Sequence, residues 1–144
     1  MTFTDKGERR AARNGYLAVN IIFAGVILLI MGYSVFYSPD EDRYPVPCIH
    51  EKITGEQCPS CGLSHAFSLI VRGRIDEAMQ WNSASAGVFM FFAFQLLLRI
   101  VLGIRILLTY RYLRQISTAD AIVSSLMALA AFFPFLKVLG QTLF

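Results

Sequence analysis

Three long apolar runs, separated by two polar segments, dominate the hydrophobic pattern of this chain. A helix needs about 20 apolar residues to cross the hydrocarbon core of a bilayer, and each run is long enough. The pattern predicts membrane spans over about 15–36, 85–108 and 120–143. We expect a polar tail over 1–14 and a single membrane domain over 15–144.

The polar segment between the first two spans, about 38–84, does not have the pattern of a membrane span. Its first part holds three prolines within nine residues, which favours extended backbone. Apolar positions at helical spacing then predict a helix ending near Val71 and a second short helix around Ile75, with Gly73 as the stop between them. Both helices are too short to span, so we expect them to lie at the membrane surface or to dip partly into the membrane.

These elements together predict an all-α integral membrane protein. It has three transmembrane helices and a short amphipathic helical cap that carries the chain's cysteine motif. Composition supports this class, because the 144 residues are 56% hydrophobic and only 16% charged. The lipid bilayer is therefore an expected partner.

The positive charges lie mainly at the ends of the apolar runs, and the net charge is only +3. They indicate topology and not a nucleic-acid surface, so we expect no nucleic-acid partner. The count favours a cytoplasmic N-terminus and a cytoplasmic loop after the second span, with the cysteine segment outside. The basic residues that decide this are Lys6, Arg9, Arg10, Arg13, Arg105, Arg111 and Arg114.

A few polar side chains fall inside the predicted spans. We interpret Asn20 as a hydrogen-bond donor to a neighbouring helix or the interface rather than as a ligand. Gln95 and Arg99 stand four residues apart on one helical face. An arginine at that depth must face protein, face a polar cavity or snorkel to the interface. We expect the Gln95/Arg99 face, and the small residues of the third span, to contact a second copy of the chain or another membrane subunit.

The reactive side chains are concentrated in Cys58-Pro59-Ser60-Cys61, with Cys48 upstream and the histidines His50 and His65 on either side. Two thiolates at this spacing can bind one zinc ion. Cys48, Cys58 and Cys61 would then supply three ligands, and His65 or, less favourably, His50 the fourth.

Two other chemistries fit the same cysteines. A Cys-Pro-x-Cys at a helix N-terminus is where a thiolate is stabilised, so Cys58 and Cys61 could carry redox catalysis. A structural disulfide outside the cytoplasm would instead lock the segment and leave one thiol over. No nucleophile elbow, phosphate-binding loop, dinucleotide fingerprint or zinc-protease motif is present in the sequence, so we favour a protein that is not an enzyme.

The motif resembles a bacterial membrane-protein family known as domain of unknown function 2752. That family has a cysteine, a T-G turn, C-P-x-C-G-x-T/S-R, a helix ending in R/K-G, and A-x-x-x-N-P. The matching residues here are Cys48, Thr54-Gly55, Cys58-Pro59-Ser60-Cys61-Gly62-Leu63-Ser64, Arg72-Gly73, Ala78 and Asn82. Two positions depart: His65 stands where the family has arginine, and Ser83 where it has proline. A neutral histidine would bind an anion poorly in that place.

The resemblance implies a small multi-pass protein of the bacterial cytoplasmic membrane in which Gly62, Ser64 and Asn82 matter alongside the cysteines. It implies no activity. The leading hypothesis is an accessory or subunit component whose extracytoplasmic cap is stapled by Cys48, Cys58 and Cys61, through a disulfide or zinc. The alternatives are a membrane thiol–disulfide oxidoreductase or relay using Cys58 and Cys61, and a metal-handling or transport protein.

Overall fold

The computed structural model describes residues 3–39, 60–109 and 112–143. These residues form five α-helices, which confirms the all-helical prediction for the described part of the chain. The helices are α1 (Phe3–Phe36), α2 (Leu63–Val71), α3 (Ile75–Trp81), α4 (Ser85–Leu108) and α5 (Leu113–Leu143).

Three of these helices, α1, α4 and α5, are long and apolar enough to cross a membrane. Each predicted span corresponds to one of these helices, and α4 has the predicted bounds. The other two helices begin earlier than predicted. α1 extends back to Phe3 because residues such as Lys6 and Glu8 are good helix formers and the segment has no proline, although it includes Gly7. α5 begins at Leu113 for the same reason.

α4 is the central span, and both α1 and α5 pack against it. Few apolar side chains of the three long helices are buried. Among the described residues, those that are buried are Ile27, Val88 and Ile106. Among the described side chains of α5, Asp120 alone is buried. Most of the surface of α5 is therefore left to lipid or to another protein.

The cap, by which we mean α2, α3 and the turns at residues 60–62 and 72–74, is a tight helical hairpin. Gly73 has a φ of 78° between the two helices, as the predicted helix stop requires. Ala66, Leu69 and Ala78 are almost fully buried and form the core of the hairpin. The small side chains at two of these positions let the helices approach closely.

The cap sits on the spans through an aromatic contact. Phe67 of α2 meets the rings of Phe89 and Phe92 of α4 edge to face, with ring centroids 5.4 and 6.0 Å apart. Such pairs add about 0.5–1.5 kcal/mol beyond the burial of their area. The contact holds the cap against the first half of α4, close to the end of α1.

Candidate functional site

Gly62 lies directly after Cys61, at the start of α2, and has a φ of 75°. A side chain at this position would be strained by the backbone conformation alone. A Cβ atom would also lie 3.0 Å from the backbone oxygen of Trp81. Glycine is therefore needed for two separate reasons, and the close approach brings the cysteine segment against the end of α3.

Asn82 bridges the cysteine segment to the second span. Its Nδ2 donates to the backbone oxygen of Cys61 at 3.1 Å, across 21 positions of sequence. Its Oδ1 accepts from the backbone N–H of Ala84 at 3.0 Å, just before α4 begins. One side chain thus fixes the turn that starts α4 and ties it to the motif.

Arg72 connects the cap to the end of α1. Its Nη1 donates to the backbone oxygen of Ser68 at 2.8 Å and to that of Ser34 at 3.3 Å. Its Nη2 donates to the backbone oxygen of Val35 at 3.1 Å. The last carbonyls of a helix lack partners within the helix and carry partial negative charge. Arg72 supplies the cation that α1 itself lacks in its last turn.

His65 stacks on Trp81, with ring centroids 4.0 Å apart and an interplanar angle of 29°. The stack covers the junction between α2 and the end of α3, beside Gly62. Ser64 is exposed, and its backbone oxygen accepts a hydrogen bond from the Ser68 hydroxyl at 3.3 Å.

Cys61 is disulfide-bonded. The other two cysteines of the chain, Cys48 and Cys58, lie outside the described residues, as does His50. The zinc ligand set predicted from the sequence therefore also lies mostly outside them, and its geometry is not described.

A second polar site is buried among the three spans. Arg99 of α4 pairs with Asp120 of α5 through Nη2 to Oδ1 at 2.6 Å and Nη1 to Oδ2 at 2.7 Å. The guanidinium also lies over the ring of Phe23 of α1, 5.9 Å from its centroid. Both charged side chains are buried, so the pair is well removed from solvent or lipid.

Four more polar side chains complete this cluster. Tyr16 donates its hydroxyl to Asp120 Oδ2 at 2.7 Å, and Arg99 Nη1 donates to Asn20 Oδ1 at 3.3 Å. Arg99 Nη2 donates to Ser124 Oγ at 2.7 Å and to Gln95 Oε1 at 3.1 Å. Each of the three spans contributes two members, so the cluster fixes the relative rotation of all three helices.

The cluster changes two expectations. The Gln95/Arg99 face was expected to contact a partner, but Asp120 and Ser124 of the same chain occupy it, because a buried guanidinium needs a nearby carboxylate. Asn20 was expected to donate a hydrogen bond to a neighbouring helix or at the membrane interface. It donates within α1, to the backbone oxygen of Tyr16, and accepts from α4.

The segment that contains the cysteine motif and the cap is also the part of the chain that is similar to a known family. Residues 48–96 match the model of the family described as protein of unknown function (DUF2752). The resemblance seen in the sequence is thereby confirmed. The DUF2752 match runs from before the described cap into α4, and it contains Gly62, Arg72 and Asn82. No curated protein and no solved structure matches the chain.

Proposed function

We propose that this DUF2752-containing protein is a non-enzymatic accessory or subunit component of a membrane complex. In this proposal the motif builds a rigid cap at one end of the spans. The observation that carries the proposal is that the polar side chains and the positive-φ glycine of the motif hold the cap together. Asn82 and Arg72 each make side-chain hydrogen bonds to backbone atoms, and Gly62 allows a turn and a close approach of two backbone segments.

We propose further that the cysteines staple this cap through a disulfide. Cys61 is disulfide-bonded, and zinc binds thiolates, so the bonded state favours the disulfide over a zinc site at this residue. A disulfide restricts the unfolded chain and so stabilises a segment that has little core of its own.

The location that fits this staple is the outer side of a bacterial cytoplasmic membrane, where disulfides persist. The basic residues before and after the first two spans support a cytoplasmic N-terminus. Cysteines placed singly at the exposed positions Asp76 and Thr109 test this orientation, with the label located by peptide mapping to separate it from any native thiol. A membrane-impermeant maleimide should label position 76 but not position 109 in intact cells, and the reverse labelling would contradict the orientation.

The partner surface that we propose is the outer face of the cap. Ile75 and Met79 are exposed and four residues apart on one face of α3. Protein extracted with its native lipid in polymer particles should have a protein mass above the 16.2 kDa of one chain. Ile75→Ser with Met79→Ser should reduce the mass to one chain, whereas Gln80→Ser on the exposed surface should not. A single-chain mass for the unchanged protein would contradict the proposal.

A thiol–disulfide relay is the second candidate function. The observation that favours it is a disulfide-bonded Cys61 two residues before the first residue of α2. A relay passes electrons between its own dithiol and a partner's disulfide, so the reduced protein should be oxidised at a measurable rate by a partner disulfide, which becomes a dithiol. A structural disulfide in the folded protein would not exchange with a partner's thiols at a measurable rate.

A further inference from the structure

A cavity of about 350 Å³ lies between the three spans. Its walls are largely apolar and include Phe23 of α1 and Phe91 and Phe92 of α4. Small side chains of α5, among them Ala128, leave the space open. Gln95 and Arg99 lie at its polar end, so the cavity joins apolar walls to the buried cluster described above.

Two hydrogen-bond donors at this polar end have no acceptor within the described part of the chain. They are Nε2 of Gln95 and Nε of Arg99, and both residues are more than nine-tenths buried. The orientation of the Gln95 amide is fixed by its neighbours. Arg99 Nη2 can only donate, and it donates to Oε1, so the amide nitrogen must point elsewhere.

A buried donor without an acceptor is unfavourable, above all where lipid surrounds the protein. The missing group must be an acceptor. It should also be neutral, because the charge of Arg99 is already balanced by Asp120, and an anion would meet that carboxylate. A carbonyl oxygen only accepts, so it needs no acceptor from walls whose described residues offer only the hydroxyls of Ser124 and Ser125 besides Gln95 and Arg99.

We propose that this cavity binds a neutral, lipid-soluble carbonyl compound whose oxygen accepts from Gln95. Gln95 lines the cavity, and because Oε1 is held by Arg99, Nε2 is the amide group that is left to donate to this oxygen. Both an ester-bearing lipid and a free ketone or quinone have this chemistry. The apolar body of either would lie against Phe91 and Phe23.

The test uses benzophenone, an aromatic ketone that crosslinks to nearby C–H bonds on irradiation, with the purified full chain in detergent. Mass spectrometry of peptides should place the crosslink on cavity-lining residues such as Phe91 or Ala128. Fluorenone, a planar ketone, should compete at about tenfold lower concentration than fluorene, its hydrocarbon counterpart, since one hydrogen bond separates the two. Equal competition, or crosslinks spread over lipid-facing residues, would overturn the proposal.

Single substitutions test whether the ketone binds in this cavity and next to Gln95. Gln95→Met removes the donor and should bring the two competitors within about twofold of each other. Since Gln95→Met also removes an acceptor for Arg99, a second variant is needed that leaves the cluster intact. Ala128→Leu fills the cavity and should abolish crosslinking, while Leu97→Ala on the exposed face of α4 should not. Retained crosslinking in Ala128→Leu would count against the site.

Solvent extraction of the purified protein distinguishes the two sources. An ester lipid that co-purifies with the unchanged protein but not with Ala128→Leu identifies a bilayer lipid. A free ketone or quinone with the same dependence identifies the other source. Identical extracts from both proteins would contradict a native occupant of this cavity.

Discussion

Arg99 and Asp120 form a two-point ion pair between the second and third spans. The oxygen and nitrogen atoms lie 2.6 and 2.7 Å apart, and the side chains are only 8% and 6% exposed. A charge in the middle of a membrane is tolerated when it is paired and faces other helices. The pair therefore explains how an apolar span of this chain accommodates an arginine.

Removing one member of the pair should destabilise the fold strongly. Arg99→Met leaves the Asp120 carboxylate buried without its cation, which costs about 3–5 kcal/mol in buried pairs. The measurement is the free energy of unfolding in mixed micelles, followed by loss of helix signal as a denaturing detergent is added.

The matched control replaces both charges. Arg99→Met combined with Asp120→Leu leaves no unpaired charge, and it should restore most of the stability lost in the single variant. If the double variant were as unstable as the sum of the two single variants, the two side chains would be acting independently and the pairing would be refuted.

The sequence predicted the spans better than the cluster between them. The cluster nonetheless has a sequence pattern, because each span contributes two polar residues that are four positions apart. These pairs are Tyr16 with Asn20, Gln95 with Arg99, and Asp120 with Ser124. Only the middle pair was singled out, because the members of the other two resemble interfacial or small packing residues one at a time. Which faces meet depends on helix rotation, and periodicity alone does not fix that.

The two positive-φ glycines of the cap should respond differently to alanine. Gly62→Ala meets both an unfavourable backbone conformation and the backbone oxygen of Trp81 at 3.0 Å. Gly73→Ala meets only the unfavourable conformation, because its Cβ would have open space. We expect Gly73→Ala to lose about 1–2 kcal/mol and Gly62→Ala to lose clearly more. Thermal unfolding of both variants in one detergent measures the difference, and equal losses would remove the argument from the Trp81 contact.

Substitutions can separate the side-chain hydrogen bonds that Asn82 makes to Cys61 and Ala84. Asn82→Asp keeps the oxygen that accepts from Ala84 and loses the nitrogen that donates to Cys61. Asn82→Leu loses both. Each lost bond should lower stability by about 0.5–1.5 kcal/mol, so the leucine variant should be the less stable of the two. Chemical unfolding followed by the exposed Trp81 reports on the cap, and an aspartate variant no more stable than the leucine variant would contradict the role of the turn.

Arg72 should matter more than its exposure suggests. Arg72→Lys keeps the charge but cannot reach the oxygens of Ser34 and Val35 with a planar fork. We expect a loss of about 1 kcal/mol and faster hydrogen exchange at the backbone amides of α2. Arg74→Lys is the control, because Arg74 pairs with Glu77 on the surface, where ion pairs contribute about 0–1 kcal/mol. Similar exchange rates in the two variants would show that Arg72 does not hold the cap on α1.

The end of α2 and the position of α3 could be predicted because their signals are local. The start of α2 could not, since the first helical residue was expected at Pro59 and the helix begins at Leu63. Apolar residues at helical spacing predicted each helix, and Gly73 predicted the end of the first. The attachment of the cap to the spans could not be predicted in this way. The bonds from Arg72 to the end of α1, and from Asn82 back to Cys61, join residues far apart in sequence and depend on the assembled fold.

The central claim is that the cysteine motif holds the cap and does not perform catalysis. The reduction potential of the Cys61 disulfide tests it most directly, measured on the purified full chain equilibrated in dithiol–disulfide buffers. A structural staple should have a potential below about −300 mV, and reduction should lower the melting temperature of the cap. A potential between about −270 and −120 mV, the range of catalytic thiol–disulfide proteins, with an unchanged melting temperature, would contradict the account and favour the relay.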